Sequence, residues 1–219
     1  MCGRYSISKN IEEIAENFKI EVLKDFSAQF FNAAPMMELP VITNTDPKKL
    51  QLFSWGLIPS WSKDPIIGNK MINARGETIF EKPSFRSCIR NKRCLVPADS
   101  FYEWKKTEEK KQPFRIKLKK RELFSLAGIW DEWKDVDGKI KSTFSIITTS
   151  PNNLMSEIHD RMPVILQKDD EEKWLLTNDV NEISSLITSY PAIEMEACPI
   201  SLMVNSPRNN SAEIHTPLN

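Results

Sequence analysis

Arg-Cys-Leu-Val-Pro-Ala, at residues 93–98, is a short apolar and β-branched run that ends at a turn, as buried strands do. Four further runs of this kind follow it: Phe114–Leu118, Leu123–Trp130, Thr143–Thr149 and Val164–Leu166. Asp-Gly at residues 137–138 predicts a hairpin between two of them. The runs together predict a sheet-dominated α+β fold, in which largely antiparallel strands curl into a barrel-like core.

A few peripheral helices complete the prediction. Asn10 with Glu13 three residues later is typical of a capped helix start. Asn152–Ile158, Asp169–Leu176 and Val180–Ser189 are three further predicted helices. The 219-residue chain has no internal repeat and no linker-like stretch. It is therefore predicted to form a single domain over residues 1–219, with a polar tail from about residue 206 to 219.

Composition excludes several classes of protein. The chain is 40% hydrophobic and 27% charged, as soluble globular proteins are. No apolar run approaches the ~18–20 residues of a membrane span, and the N-terminus does not resemble a secretory signal. We therefore expect a cytoplasmic protein without a membrane partner. Four scattered cysteines and two histidines argue against a disulfide framework and a structural zinc site. We expect no metal, no cofactor and a monomer.

Charge is unevenly distributed, although the formal net charge is zero. The segment from Lys82 to Arg121 contains fourteen Lys and Arg but only four Asp and Glu. The segment from Ile158 onward contains four Lys and Arg and ten Asp and Glu. This asymmetry permits a basic face for phosphates. The lysines of residues 105–111 are interpreted as a solvated hairpin turn. Arginine is the side chain preferred for phosphate recognition, and three are available nearby: Arg86, Arg90 and Arg93.

Cys2 follows Met1 directly. If the methionine is removed, Cys2 carries an α-amine (ordinary pKa about 7.7–8.0) and a thiol (about 8.5) on adjacent carbons. Such a pair can condense with an aldehyde: the amine forms a Schiff base, and the thiol closes a thiazolidine ring. Alternatively, the thiolate alone could attack a carbonyl, as in cysteine hydrolases. A chance cysteine at a frayed terminus is the third interpretation.

Three polar residues are candidates for a catalytic or positioning role beside such a nucleophile. Asn32, in Phe-Asn-Ala-Ala-Pro, could hold a substrate oxygen or the terminal amine, or form an Asx turn. Glu103 lies among three aromatic residues, and burial there would suit it for proton transfer; an exposed strand position is the alternative. His159 could be a general acid or base, because histidine changes charge near neutral pH, or it could be structural. His215, in the polar tail, is assigned no role.

Aromatic and basic residues could bind a single strand. Trp55 and Trp61 flank a Gly/Pro segment, and indole faces stack on unpaired bases for about 1–3 kcal/mol per base. Two core tryptophans are the alternative interpretation. Arg75, in a turn-like Asn-Ala-Arg-Gly-Glu-Thr segment, is suited to a phosphate.

The order of these motifs resembles that of the SRAP family, the SOS-response-associated peptidase-like domains. The resemblance runs from Cys2 to about Arg208. Its nine blocks are Met-Cys-Gly-Arg-Tyr, Asn-x-Ala-Pro, Trp-Gly-Leu-Ile-Pro-x-Trp, Asn-Ala-Arg-x-Glu-Thr, Arg-Cys-Leu-Val-Pro-Ala, Phe-Tyr-Glu-Trp, Ala-Gly-Ile-Trp, His-Asp-Arg-Met-Pro-Val and Val-Asn-Ser-Pro-Arg.

This resemblance implies a sensor of abasic sites in single-stranded DNA, associated with the nucleoid when DNA is damaged. It implies that Cys2, after the chain removes its own Met1, forms a thiazolidine with the opened sugar and so a covalent crosslink. Asn32 would position the terminus or sugar, Glu103 would transfer protons during ring opening, and His159 would share that work and stabilise the sugar hydroxyl. The implied DNA channel is lined by Arg4, Trp55, Trp61, Arg75 and Arg86.

Two other functions stay open. One is a thiol peptidase with Cys2 as nucleophile, His159 as base and Asn32 as orienting residue. The other is a non-covalent binder of modified DNA.

Overall fold

Two β-sheets form the framework of the computed structural model, which describes residues 2–21, 29–108 and 111–218. Met1, Glu109 and Lys110, which enter the expectations above, lie outside these residues. The strands are β1 (Arg4–Ile7), β2 (Phe30–Ala33), β3 (Glu38–Thr43), β4 (Asp46–Trp55), β5 (Asn73–Arg75), β6 (Arg93–Ala98), β7 (Ser100–Lys106), β8 (Lys111–Leu118), β9 (Phe124–Lys134), β10 (Ile140–Thr149), β11 (Met162–Pro163) and β12 (Met195–Pro199).

Five strands of the larger sheet close into a barrel. The path runs β10-β4-β3-β6-β9, and β9 pairs again with β10. All of these pairings are antiparallel except β10 with β4. Strand β5 joins β10 in parallel and β11 joins it antiparallel. The predicted sheet-dominated α+β fold with a barrel-like core is confirmed.

The smaller sheet, in the order β12-β8-β7-β1-β2, places the chain start between two strands. Tyr5 and Phe101 on one of its faces belong to the main core. Tyr102, on the opposite face, packs with Ile200, Val204 and Ile214. The segment predicted as a polar tail is therefore packed.

His215 belongs to that packed segment. Its Nε2 lies 2.9 Å from the Tyr102 hydroxyl, and its ring meets Phe31 edge-on at 5.2 Å. Burial, followed by the charge of Arg115, lowers the pKa of His215 to about 4. This histidine is neutral at physiological pH and packs the sheet.

In the described ranges, five short α-helices and several 3₁₀ turns surround the sheets. The α-helices are α1 (Ile11–Phe18), α2 (Cys88–Asn91), α3 (Asn153–Ser156), α4 (Asp170–Leu176) and α5 (Val180–Ser185); the 3₁₀ segments are Pro65–Lys70, Gly76–Thr78, Ala192–Glu194, Leu202–Asn205 and Ala212–His215. Among the described residues, no helix is long and apolar enough to cross a membrane.

The helix predictions are confirmed with shorter bounds. Helix α1 has the predicted start: Glu13 N donates to Asn10 Oδ1 at 2.8 Å, and Asn10 N donates to Glu13 Oε2 at 3.1 Å. Helix α3 begins after Asn152, whose side chain accepts from Met155 N at 2.9 Å.

The predicted strand Val164–Leu166 is wrong, and the strand lies just before it at Met162–Pro163. Val164 N donates to Ile147 O on β10, whereas Leu166 N donates to Ser125 O on β9. Over these residues the chain crosses from β10 to β9, so it forms no continuous ladder of hydrogen bonds with either strand.

Arg93, predicted as a phosphate ligand, instead joins two helix ends inside the molecule. It is 1% exposed. Its Nε donates to Trp174 O at 2.6 Å, and its terminal nitrogens donate to Leu175 O and Thr177 O at the end of α4 and to Ile89 O and Arg90 O in α2. A helix end leaves its last carbonyls without partners, and this guanidinium satisfies those of both helices.

We expect Arg93→Met to lower the free energy of unfolding by about 3 kcal/mol, because several buried carbonyls lose their donor. Urea unfolding followed by circular dichroism measures it. Arg93→Lys keeps the charge but cannot reach both helices, so an intermediate loss is expected. An unchanged midpoint in both variants would contradict this role.

Candidate active site

Cys2 lies two residues before the start of β1 and is fully buried. Its carbonyl accepts a hydrogen bond from Asn73 Nδ2 at 2.9 Å, and its sulfur lies 3.8 Å from Arg4 O. Asn73 is the first residue of β5, which pairs with β10 of the barrel. The start of the chain is therefore anchored to the larger sheet as well as to the smaller one.

Glu103 is brought to the start of the chain by strand pairing. Strand β7 runs antiparallel to β1 with Tyr102 opposite Arg4, so continuing this register by one residue places Glu103 beside Gly3. Glu103 is 2% exposed. Burial raises its pKa, and the charge of His159 opposes that rise. The buried alternative for Glu103 is the one the structure adopts.

The pKa of the Cys2 thiol is raised, first by burial and then by the negative charge of Glu103. A cysteine nucleophile that acts as a preformed thiolate needs the opposite setting, with cations or a helix N-terminus that lower its pKa. In this environment the thiol keeps its proton at neutral pH.

His159 faces Glu103 from the loop after α3. Its Nε2 lies 3.9 Å from Glu103 Oε2. On the other side of the ring, Arg161 N donates to Nδ1 at 3.0 Å, and Asp160 Oδ1 lies 2.8 Å from the same nitrogen. Neutral His159 can accept from the Arg161 amide at Nδ1, and protonated His159 can donate to Asp160 there. The ring is supported in both protonation states, as an acid–base group requires.

Arg161 fixes this loop to the barrel. Its guanidinium binds both carboxylate oxygens of Glu77, at 2.6 and 2.8 Å, and donates to Thr148 O at 2.7 Å. Such two-point pairing holds geometry better than a single ion pair. Because Arg161 is two residues from His159, the anchor also restrains the imidazole.

A cleft of about 760 Å³ opens beside these groups. Glu103 and His159 lie in its wall, so a ligand in the cleft can reach both. The residues lining it are Arg4, Glu103, Trp104, Lys106, Lys111, Ile158, His159, Asp160 and Asn205. Within the described ranges, no group of three or more His, Cys, Asp or Glu residues could hold a metal ion.

Asn32 is buried, and its amide nitrogen donates to three carbonyls of one segment: Val204, Ser206 and Asn209, at 2.9–3.2 Å. Among the described residues, no hydrogen bond joins the Asn32 side chain to Cys2. Asn32 instead holds the segment that carries Asn205 at the cleft.

Asn73 is the functional candidate that the sequence analysis missed. It lies in the same Asn-Ala-Arg segment as Arg75, with buried Ala74 between them. Alternation in a strand puts Asn73 and Arg75 on one face, and that pattern could have drawn attention to the asparagine.

The expectation that Trp55 lines a channel is wrong. Its indole is fully buried, donates to Ile72 O at 2.8 Å, and lies between Tyr5 and Phe144 at centroid distances of 5.2 and 6.3 Å. Trp61 is different: 61% of it is exposed. Only one tryptophan of this motif has a ring open to a base.

The predicted arginines differ in position. Arg4 lines the cleft and donates to Asn205 O at 3.4 Å. Arg75 is exposed at the end of β5, paired with Thr148 of β10. Arg86 is exposed just before α2. Arg4 is half-buried, whereas Arg75 and Arg86 are exposed.

Comparison with known proteins gave consistent results. The family described as SOS response associated peptidase (SRAP) matches residues 1–207. A Bacillus subtilis (strain 168) protein named abasic site processing protein YoqW is 46% identical over 220 residues, covering 98% of each chain. Abasic site processing protein HMCES of Xenopus tropicalis is 32% identical over 215 residues, covering 84% of this chain and 64% of that protein. A crystal structure of a Bacteroides thetaiotaomicron protein, 34% identical, superposes with a TM-score of 0.92 and covers all of both chains.

Proposed function

Starting from the family match, by which this chain belongs to the SRAP family, we propose that it captures abasic sites in single-stranded DNA through Cys2. The product is a covalent thiazolidine crosslink, formed once Met1 has been removed. The observation that carries the proposal is the convergence of Cys2, Glu103 and His159: strand register places the carboxyl beside the chain start, and His159 Nε2 lies 3.9 Å from it.

An abasic sugar is mostly a closed hemiacetal, so its aldehyde must be released by proton transfer. Glu103 suits this step, because burial keeps it protonated to higher pH than a free glutamate. It donates a proton to the ring oxygen while His159 accepts one from the hemiacetal hydroxyl. The C–O bond of the ring breaks, leaving an aldehyde and a free hydroxyl.

The amine of Cys2 then attacks the aldehyde, and loss of water gives an imine. The thiol adds to the imine carbon: a C–S bond forms, and the thiol proton passes to the imine nitrogen. Because burial and Glu103 raise the thiol pKa, we infer that the amine reacts before the sulfur. Glu103 is the base that relays the thiol proton. Asn73 holds the Cys2 carbonyl, which fixes the direction of both nucleophiles.

DNA binding is proposed for Arg4, Arg75, Arg86 and Trp61. A lesion without a base gives no base edge to recognise, so backbone contacts and stacking on neighbouring bases must supply the affinity. Asn32 contributes indirectly, through the segment of residues 204–209.

Intact-mass spectrometry before and after incubation with abasic single-stranded DNA tests the proposal. We expect the protein to lack Met1 and to gain the mass of the oligonucleotide less one water. A form whose α-amine is blocked by a retained N-terminal tag is the control, and it is expected to form no adduct. Failure of processed protein to form an adduct, or an adduct in the tagged form, would overturn the proposal.

A thiol peptidase acting on other chains is the alternative, since the family is described as a peptidase. It requires that peptides be cleaved in trans and that Cys2→Ser abolish the cleavage. The raised thiol pKa disfavours it. A non-covalent binder of modified DNA would instead keep full function in Cys2→Ala.

We expect Arg75→Ala to weaken binding of an unmodified single strand and to reduce the slope of log K against log salt by about 0.7, the value for one lost phosphate contact. Fluorescence anisotropy at several salt concentrations measures the slope. Lys139→Ala, on the exposed β9–β10 turn, removes the same charge elsewhere and serves as control. An unchanged slope would place Arg75 outside the path of the strand.

A further inference from the structure

Lys106 and Lys111 lie directly opposite each other on β7 and β8. Both are exposed, and both line the cleft that holds Glu103 and His159. Both lysines are exposed on the β7–β8 hairpin, as predicted, and their neighbours also include the proposed acid–base pair.

Two like charges directly opposite in an antiparallel pair destabilise it, because their Cβ atoms are about 4.5–5.5 Å apart. The next strand pair of the same sheet avoids this cost: Lys117 of β8 is opposite Glu196 of β12, and their charged groups are 2.8 Å apart. Among the described residues, neither Lys106 nor Lys111 forms an ion pair. Both lysines line the cleft, and no carboxylate of the described residues is paired with them.

Arg4 adds a third positive charge to the same cleft. Among the described residues, its terminal nitrogens donate hydrogen bonds only to carbonyl oxygens, those of Gly3 and Asn205, at 3.3 and 3.4 Å. The acidic residues lining the cleft are Glu103 and Asp160; the first is buried beside the chain start, and the second lies against His159. Within the part of the chain that the structure describes, the rim formed by Arg4, Lys106 and Lys111 is positively charged and has no ion pair to a carboxylate.

We propose that Lys106 and Lys111, with Arg4, form a phosphate subsite that holds one backbone phosphodiester of the DNA strand beside the lesion. An anion between the two ammonium groups offsets their repulsion, so binding of the anion relieves the destabilisation caused by the like-charged pair. The subsite is separate from Arg75, which does not line this cleft. This inference rests on the proposed function and adds a place for the strand next to the reacting sugar.

The test uses the double variant Lys106→Gln/Lys111→Gln and an unmodified single-stranded oligonucleotide, so that no crosslink forms. We expect the slope of log K against log salt to fall by about 0.7, as for one lost phosphate contact. Lys139→Gln/Lys141→Gln, at the exposed end of the β9–β10 turn and the start of β10, changes the net charge equally and should leave the slope unchanged. Lys105→Gln, next to Lys106 but not lining the cleft, should also leave it unchanged.

Measurements of stability and of reaction rate distinguish the loss of a phosphate contact from a loss of folding and from a change in the chemical step. Urea unfolding should show the double variant to be at least as stable as the parent, since a like-charged pair has been removed. With abasic DNA at saturating concentration, it should crosslink at the parental rate, while more DNA is needed to reach half of that rate.

Equal slope changes in the two double variants, or no change in either, would overturn the subsite. A double variant that binds inorganic phosphate less well yet keeps the full slope on DNA would also overturn it, because the site would then hold a free ion and not the strand. Failure of the parental protein to crosslink would instead refute the proposed function, and the slope on unmodified DNA would still report on the subsite.

Discussion

Cys2→Ser is expected to abolish the stable crosslink while leaving a reducible intermediate. Processed serine protein keeps its α-amine, so it can still condense with the aldehyde to an imine. It lacks the thiol whose addition makes the adduct durable. We therefore expect no adduct on a denaturing gel without reductant, and a clear adduct when borohydride is present during the reaction. The parental protein should give equal amounts under both conditions.

This pair of measurements distinguishes the two groups of Cys2, which act on the same carbon. In a methionine-retaining form of either protein the nitrogen of residue 2 is held in a peptide bond and cannot attack the aldehyde, so no adduct is expected at that residue under either condition, which makes this form the matched control. A crosslink from Cys2→Ser that survives without reductant would show that the sulfur is dispensable. Loss of the borohydride-trapped adduct in Cys2→Ser would show instead that the thiol reacts first.

Local patterns predicted the strands and helix starts well, because these depend on neighbours in sequence. Arg93–Ala98 is a strand with the predicted bounds, and the Asn10 capping box forms as expected. Only three residues separate the groups that make this cap, so the information lies within the segment. The barrel closure is also implied by many short runs joined by tight turns.

Burial of individual residues could not be predicted in this way. Trp55 and Trp61 belong to one motif, but Trp55 is enclosed by Tyr5 and Phe144, which come from distant parts of the chain. Between the two tryptophans, Gly56 adopts φ +135°, and a Cβ there would lie 2.7 Å from Gly68 O. The chain turns at Gly56, where it approaches Gly68 closely. Gly68 is twelve residues away, so this approach exists only in the folded molecule.

The burial of individual arginines could not be predicted from the sequence either. Arg86 and Arg93 are seven residues apart and equally suited to a phosphate by residue type. Arg93 is buried because the end of α4, some 80 residues later, supplies carbonyls for it. Asn73 was missed for a related reason, because its partner is the backbone of Cys2, 71 residues away. Because Asn73 contacts the main chain of Cys2, the residue type at position 2 gives no indication of this contact.

Glu103→Gln is expected to slow crosslinking on the order of 10²–10⁴-fold, the usual contribution of general acid–base catalysis. The amide cannot supply a proton to the sugar ring oxygen or relay one from the thiol. Affinity for unmodified single-stranded DNA should change little, because the carboxyl is buried and binds no phosphate. Single-turnover crosslinking and anisotropy measure the two effects on the same samples. Equal losses in rate and affinity would remove the chemical role of Glu103.

The same substitution is expected to stabilise the fold at neutral pH. Burial raises the pKa of Glu103 in the folded chain above its unfolded value of about 4.3, so the folded state binds the proton more tightly. Its ionisation therefore lowers the free energy of unfolding as pH rises above that value. Glu103→Gln removes this loss, so its advantage in urea unfolding should grow from pH 4 to pH 8 and vanish below pH 4. A variant that is slower but more stable, with this pH dependence, would show that the carboxyl is kept in the core for its chemistry. An advantage independent of pH would mean that the buried charge is not its cause.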